Sequence, residues 1–202
     1  MYIDEPLRKY LDDLAARRPM PGGGSAAALA ASAGISLMCM TVNYTIGKPK
    51  YKNFQDKMRT LLVKLEEFRH KMQGLIDEDV EAYGKVSKIV KESGKDSPRL
   101  ESAYKEATDV PFQICRISSE CLRLCDLLAT EGNRNLITDV AIAAIMLEGA
   151  FISAKFNVYE NLKYIKDMEF IGEIHNVLSP LEEELPKLKT EILEKCEDAV
   201  SR

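Results

Sequence analysis

The sequence predicts an all-α fold, a bundle of about six helices, several of them long, with a buried second helix rich in Ala, Gly and Ser. Apolar residues recur at helical spacing over long segments. Trp is absent, and the 11 glycines and 8 prolines are scarce within those segments. With 46% hydrophobic residues, the 202-residue chain can bury one sizeable core, so we expect a single domain over residues 1–202.

The charge balance and the cysteines limit the partners and the location. A formal net charge of −4 does not supply the basic field that general nucleic-acid binding requires, so we expect no nucleic-acid partner. The first residues lack the pattern of a signal peptide. The cysteines lie in apolar helical segments without a CxxC pair or nearby His, which favours reduced core thiols in a cytoplasmic protein and no metal site; they are Cys39, Cys115, Cys121, Cys125 and Cys196.

Two helices are predicted in the first 46 residues. Asp4 to Arg17 has apolar residues at helical spacing and ends before Pro19 and Pro21. Ser25 is then the predicted N-cap of a second helix from Ala26 to about Ile46. The 29 uncharged residues around this helix are rich in Ala, Gly, Ser, Thr and Asn and are far less apolar than a Leu-rich span. We therefore expect the helix to be surrounded by protein, with no membrane partner.

The turn before the second helix contains three consecutive glycines, Gly22, Gly23 and Gly24. A backbone without side chains suits a sharp bend or a close approach to a ligand. A phosphate-binding P-loop is excluded, because Ser and Ala follow where that motif needs Lys, and no strand precedes the turn. After the helix, the segment 47–52 breaks the helical pattern and carries three lysines; it is either a solvated turn or a site for an anionic ligand.

The third helix is predicted from Phe54 to about Ser93, with a bend at Gly74 or Gly84 left open. Its Asp-x-Asp segment holds two carboxylates, and a period of 3.6 residues places them on different sides of the helix. Asp79 falls in the middle of the apolar stripe, whereas Asp77 projects on the opposite, polar side. A carboxylate in an apolar seam is costly to ionise, so Asp79 is either a functional acid or a structural one that caps another helix or pairs with a core Arg.

Prolines mark the fourth and sixth predicted helices. Ser97 is the predicted N-cap of a helix from Pro98 to about Thr130, which Pro111 is expected to kink because it lacks a backbone donor. Asp167 is the predicted cap of the sixth helix. We expect that helix to be interrupted near two prolines, Pro180 and Pro186.

The fifth helix, capped by Asn133 or Asn135, has one narrow face that is small at its centre and polar at both ends: Asp139, Ala143, Met146, Ala150, Ser153, Asn157 and Asn161. Asp139 and Asn157 are about 27 Å apart on an ideal helix, so they cannot touch one reacting centre. Asn157 and Asn161 are one turn apart and can act together, either on a ligand or in hydrogen bonds between helices.

A series of sequence blocks resembles one enzyme family. Residues 21–30 read Pro-Gly-Gly-Gly-Ser-Ala-Ala-Ala-Leu-Ala, and residues 45–51 read Thr-Ile-Gly-Lys-Pro-Lys-Tyr. Three further pieces follow in order: residues 76–83 around the Asp-x-Asp segment, Val110-Pro111, and Thr138-Asp139 with residues 156–162. Together, over nearly the whole chain, they resemble the formimidoyltetrahydrofolate cyclodeaminase and methenyltetrahydrofolate cyclohydrolase family.

The resemblance implies an all-helical homodimer that binds a reduced folate, with a single glutamate or a polyglutamate tail, and uses no metal or redox cofactor. It implies catalysis by an aspartate of the Asp-x-Asp segment, and the helical period favours Asp79 over Asp77 as the acid/base. The principal expectation is cyclodeamination of 5-formimidoyltetrahydrofolate to methenyltetrahydrofolate and ammonia. The alternatives are methenyltetrahydrofolate cyclohydrolase and a non-enzymatic, folate-binding helical dimer.

The resemblance also implies the substrate-binding residues. Lys48, Lys50 and Tyr51 are expected to hold the anionic glutamate tail. Close contact with the ligand is assigned to Ser25 and to the backbone of the three glycines. Three polar residues of the fifth helix complete the set, with the two amides either orienting the pterin or joining helices: Asp139, Asn157 and Asn161.

Overall fold

The computed structural model describes residues 1–94 and 97–201, and those residues form six α-helices without a strand. The helices are α1 (Leu7–Ala15), α2 (Gly23–Thr45), α3 (Gln55–Ser93), α4 (Leu100–Glu131), α5 (Ile137–Leu162) and α6 (Met168–Val200). Three short 3₁₀ helices, at Tyr2–Asp4, Pro49–Phe54 and Arg134–Leu136, lie at the chain start and in two connections. The all-α class and the number of helices are confirmed.

Helices α2 and α5 pack side by side in antiparallel directions, and both also contact α4. Small residues let them approach closely. A Cβ added at Gly34 of α2 would lie 3.3 Å from the carbonyl oxygen of Ala143 in α5. Around this pair, α3 packs against α2 and α4, and α6 packs against α5 and α4. The predicted small-residue helix is therefore one of the two central helices, and its Ala27, Ala28 and Ala31 are buried.

By length and composition alone, α2 and the segment Arg134–Leu162 could each cross a membrane. The core helices of globular proteins meet the same criterion, so this is weak support for a membrane location. The bundle buries 61% of the apolar stretch of α2 and 44% of the apolar stretch of the second segment. Four large apolar residues of α5 stay exposed on one side of the helix, here called the exposed α5 face: Ile142, Ile145, Ile152 and Phe156.

Helix α2 begins earlier than predicted, and Ser25 is not its N-cap. Gly22 occupies the cap position with an extended backbone, so Ser25 is the third residue inside the helix. Gly22 has no side chain to satisfy the amides of the first turn. A carboxylate from another helix does so instead, because the Ser25 amide donates a hydrogen bond to Asp79 Oδ2 at 2.9 Å.

Helix α6 is continuous from Met168 to Val200, so the predicted interruption near Pro180 and Pro186 is wrong. Each proline removes one backbone hydrogen bond, but a helix that buries enough apolar surface tolerates that loss. The side chains that α6 buries are Ile174, Leu178, Leu181, Leu185, Ile192 and Cys196. The predicted cap is present, since Asp167 accepts hydrogen bonds from the Glu169 and Phe170 amides at 3.1 Å.

Helix α4 starts at Leu100, two residues after the predicted Pro98, and continues through Pro111. Pro111 has no amide hydrogen, so the carbonyl of Ala107, four residues earlier, lacks its helical donor. Asn161 of α5 replaces that donor, because its Nδ2 lies 3.0 Å from the Ala107 oxygen. The amide of Asn161 therefore joins α5 to α4. Of its two predicted roles, ligand contact and a hydrogen bond between helices, this is the second.

We expect the stability cost of Asn161→Ala to depend on Pro111. In the wild-type background the Ala107 carbonyl loses its donor, which costs about 1–3 kcal/mol of unfolding free energy. In a Pro111→Ala background the backbone amide gained at that position can supply the helical hydrogen bond, so the same substitution should cost less than half as much. Urea denaturation of the four proteins measures this coupling. Equal costs in both backgrounds would show that the Pro111 defect is not what Asn161 repairs.

Candidate active site

A pocket of about 300 Å³ lies where the turn before α2 meets α3, α4 and α5. Its volume is at the lower end of the range that small-molecule sites occupy. It is lined by Pro19, Met20, Gly22, Gly23, Gly24, Asp79, Tyr83, Ala107, Pro111, Asn157, Glu160 and Asn161. The structure thus brings together the glycine turn, Asp79 and the two amides of α5, which the sequence placed on three separate segments.

The Asp79 carboxylate packs directly against the backbone at the start of α2. Its Oδ2 accepts the hydrogen bond from the Ser25 amide, and a Cβ added at Gly24 would lie 2.1 Å from its Oδ1. No side chain larger than hydrogen fits at position 24 while the carboxylate stays in place. The glycine turn is therefore needed for a close approach, and what approaches is a carboxylate of the same chain.

The environment of Asp79 favours its protonated form. Burial raises the pKa of the Asp79 carboxyl above its usual range, and the hydrogen bond from the Ser25 amide opposes that rise. Of its two oxygens, Oδ1 has no hydrogen-bond donor among the described residues. A half-buried carboxylate with a raised pKa and one free oxygen can take a proton from a ligand and return it.

Asn157 lies on the α5 side of the pocket, next to the glycine turn. A Cβ added at Gly23 would be 3.7 Å from both terminal atoms of the Asn157 amide. Its Nδ2 donates to the Ser153 carbonyl at 3.1 Å within α5. Together with Asn161, it gives the pocket two amide groups, each with its nitrogen bonded to a backbone oxygen.

Asp77 is separated from this pocket. It projects away from Asp79, as the helical period predicts, but its side of α3 is covered and not open to solvent. It is buried, and its two oxygens accept hydrogen bonds from the backbone amides of Tyr2 and Ile3 at 2.6 and 3.2 Å. The helical period could not show this, because the covering element is the start of the chain itself. The two carboxylates of the Asp-x-Asp segment therefore differ, since Asp79 faces a cavity and Asp77 anchors the backbone of the chain start.

The predicted tail-binding residues lie at the opposite end of α2. That helix has 23 residues and is about 34 Å long, and Lys48, Lys50 and Tyr51 follow its C-terminus. They line a separate depression of about 450 Å³. Tyr51 is buried and accepts a hydrogen bond from the Arg134 amide at 3.1 Å, whereas both lysines are exposed and form no ion pair with a described residue.

Asp139 is also remote from the pocket, because it lies in the first turn of α5. The Asn157 side of the pocket is 18 residues further along the same helix, or about 27 Å. Within one chain, neither Asp139 nor the residues after α2 can touch a reacting centre at Asp79.

Some pocket residues were not predicted from the sequence. Glu160 adds a second carboxylate, and its position between Asn157 and Asn161 on α5 was the only available signal. Met20 and Pro19 enter through the turn, and Ala107 with Pro111 enters through α4. No lysine or arginine lines the pocket among the described residues.

The cysteines and the acidic residues offer no metal site in the described part of the chain. Residues 1–94 and 97–201 contain no cluster of three or more His, Cys, Asp or Glu side chains placed to bind an ion. All five cysteines are free and buried, as predicted for core thiols. Burial raises the pKa of the Cys39 and Cys115 thiols to about 12, which leaves them protonated and unreactive near neutral pH.

Known proteins resemble this chain over nearly its whole length. The chain is 35% identical to a methenyltetrahydrofolate cyclohydrolase of Methylorubrum extorquens, over 98% of this chain and 99% of the relative. It is 29% identical to the pig formimidoyltransferase-cyclodeaminase over 96% of this chain, which spans only 37% of that longer protein. The crystal structure of a formiminotetrahydrofolate cyclodeaminase from Thermotoga maritima superposes with a TM-score of 0.92 at 30% identity, covering 99% of this chain and 100% of that one.

A family model described as formiminotransferase-cyclodeaminase matches residues 6–179. The matched range begins before α1 and ends within α6, so it includes every segment that lines the pocket. The match covers most of the chain, and relatives of similar length align from end to end. The chain therefore belongs to the formiminotransferase-cyclodeaminase family.

Proposed function

We propose that the pocket at Asp79 carries out formimidoyltetrahydrofolate cyclodeamination. In this reaction a folate nitrogen attacks the formimidoyl carbon, ammonia leaves, and the methenyl bridge forms. The attacking nitrogen must lose a proton and the departing nitrogen must gain one. A single carboxylate whose pKa is raised toward neutrality can serve both steps, and the placement of Asp79 in the pocket is the observation that carries the proposal.

The charge of the pocket supports a cationic reacting group. Asp79 and Glu160 are its two carboxyl groups, and no basic side chain of the described residues lines it. Glu160 pairs with Lys163 outside the lining at 2.6 Å, so Asp79 is the carboxyl group available to a ligand. The protonated formimidoyl group and the methenyl bridge each carry a positive charge, which an ionised carboxylate stabilises. An ionised Asp79 repels the anionic glutamate tail, so we expect the tail to point away from this pocket.

Methenyltetrahydrofolate cyclohydrolase is the second candidate, because the Methylorubrum extorquens relative of that name aligns over the full length at 35% identity. In that reaction water adds to the methenyl carbon and the ring opens to a formyl group. The proton transfers again go from a nucleophile and to a folate nitrogen, so Asp79 has the same role. Both kinds of relative are named as folate enzymes, and the non-enzymatic alternative therefore has no support from them.

A homodimer through the exposed α5 face is part of the proposal. Ile145 is 51% exposed and Phe156 is 68% exposed, which is costly for a row of large apolar side chains in water. Since α2 lies beside α5, a two-fold axis perpendicular to α2 near its middle would set the start of one α2 against the end of the other. Lys48 and Lys50 of the partner subunit would then lie near the Asp79 pocket, where an outgoing folate tail needs cations.

Absorbance of the methenyl group separates the candidate reactions. Mixing the purified protein with 5-formimidoyltetrahydrofolate should raise this absorbance and release ammonia if it is a cyclodeaminase. Mixing it with methenyltetrahydrofolate should lower the absorbance faster than buffer if it is a cyclohydrolase. Unchanged absorbance in both assays, with folate binding intact by calorimetry, would contradict an enzymatic role.

Asp79→Asn should abolish turnover and preserve the fold. The amide retains an oxygen that can accept from the Ser25 amide but cannot exchange protons, so we expect kcat to fall about 10²- to 10⁴-fold. Because the folded-state pKa of Asp79 is raised, its contribution to stability is present at low pH and is lost as the pH rises through that pKa.

The variant should therefore be at least as stable as the wild type at pH 7, and the difference should shrink as the pH falls. Thermal unfolding at several pH values provides this control. A fully active Asp79→Asn protein would exclude Asp79 as the acid/base. An inactive but strongly destabilised protein at pH 7 would instead indicate that the carboxylate mainly caps α2.

A charge on the exposed α5 face should separate the proposed dimer. Ile145→Glu places a carboxylate at the centre of that face, so analytical ultracentrifugation should show a monomer where the wild type is a dimer. Val63→Glu is the matched control, because Val63 is 62% exposed on α3 and lies away from α5. A monomeric wild type would contradict the dimer, as would an Ile145→Glu protein that keeps the wild-type mass.

A further inference from the structure

The chain start is fixed to α3 by the carboxylate that does not face the pocket. Asp77 is 6% exposed and accepts two backbone hydrogen bonds, from the Tyr2 amide and from the Ile3 amide. Those amides belong to the first turn of the chain, which has no other carboxylate partner for its backbone among the described residues. The first residues are thus held on α3 two positions before Asp79.

Tyr2 connects this segment to α1 through its side chain. Its ring meets the ring of Tyr10 edge to face with 5.4 Å between the centroids. Its hydroxyl donates to Asp13 Oδ2 at 3.1 Å, and Asp13 also pairs with Lys9 at 3.0 Å and with Arg18. The Tyr10 ring is consequently fixed from one side by Tyr2 and buried to 3% exposure.

Tyr10 in turn holds the first turn of α2. Its hydroxyl donates to Ser25 Oγ at 3.2 Å, and Ser25 is fully buried. The amide of the same residue donates to Asp79 Oδ2. The continuous path is therefore Asp77, Tyr2, Tyr10, Ser25 and Asp79, from one carboxylate of the Asp-x-Asp segment to the other.

We propose that Tyr10 is a positioning residue for Asp79, acting through Ser25, and that Asp77 serves the reaction by anchoring the segment that holds Tyr10. The inference rests on the proposed role of Asp79 as acid/base. Ser25 lies in the first turn of α2, and the Tyr10 hydroxyl on its Oγ holds that turn in place, so the Ser25 amide stays within hydrogen-bond distance of Oδ2. This hydrogen bond favours the ionised carboxylate and limits how far burial raises its pKa.

Four elements packed around Asp79 present groups to it. Tyr10 approaches from α1, the Ser25 amide from α2, Tyr83 from α3 itself and Glu160 from α5. From α4 the pocket receives Ala107 and Pro111, which do not titrate. Of these, only the Ser25 amide donates a hydrogen bond to the carboxylate, so a change in its position acts on Asp79 directly.

The test measures Asp79 without a ligand. The carbon resonance of its carboxyl, assigned by its absence in Asp79→Asn, is followed by NMR as a function of pH. Tyr10→Phe keeps the ring against Tyr2 and removes only the hydroxyl, so the pKa of Asp79 should rise by about half a unit or more. Tyr159→Phe is the control, because it also removes a phenol hydrogen bond, the partly buried one to Glu182, but on the α6 side of α5.

A double-mutant cycle tests the route through Ser25. Ser25→Ala removes the acceptor and keeps the amide, so it should give the same upward shift as Tyr10→Phe, and the double variant should add nothing further. In turnover, the acid limb of the kcat profile should move to higher pH by the same amount, with KM changing less than about two-fold. Additive shifts, or an effect on KM alone, would overturn the positioning role.

Asp77→Asn completes the experiment. It should shift the pKa of Asp79 in the same direction and leave measurable turnover. If it abolishes turnover while the pKa of Asp79 stays at the wild-type value, Asp77 acts in the chemistry and its anchoring role is refuted. An unchanged Asp79 pKa in Tyr10→Phe refutes the inference, whereas a shifted pKa in a protein that turns over no folate refutes only the proposed function.

Discussion

The hydrogen bond between the Ser25 amide and Asp79 is the interaction on which the site depends. It satisfies an amide at the start of α2 that Gly22 cannot cap, and it brings the carboxylate to the positive end of a helix. The same contact requires Gly24, because any side chain there would overlap the carboxylate. A structural cap and a functional acid are often treated as alternatives, but here the geometry of the cap is what holds the proposed acid at the pocket wall.

The sequence was sufficient for the fold because the apolar period is long and regular. On α3, residues such as Met58, Leu65, Met72 and Ile76 are all buried, as a 3.6-residue repeat predicts. The helical period also predicted correctly that Asp79 and Asp77 project from different sides of α3. It failed for the burial of Asp77, because a wheel describes one helix and cannot show which other segment covers its polar side.

The prediction for Ser25 failed for a related reason. Ser is a good N-cap, but the Ser25 amide in the first turn of α2 finds its acceptor on α3, 54 residues away in sequence. The predicted interruption of α6 was wrong because the low helix propensity of its two prolines is offset by tertiary contacts, which the local sequence does not show. For the pocket, the sequence identified the glycine turn, Asp79 and the two amides. Glu160 has only its position between Asn157 and Asn161 as a signal, and Tyr10 has none that distinguishes it from an ordinary helix residue.

The two amides of α5 have one consequence for what the pocket can recognise. Asn161 Nδ2 uses one N–H on Ala107 and Asn157 Nδ2 uses one on Ser153, so each amide still offers a ligand its oxygen and its second N–H. The carboxyl of Asp79 adds acceptors, and the start of α2 with the Tyr83 hydroxyl adds donors to the same wall. A ligand that carries donors and acceptors side by side can pair with these groups, whereas an apolar ligand would leave them without partners. Inhibitors of this site should therefore be sought among heterocycles with alternating donors and acceptors.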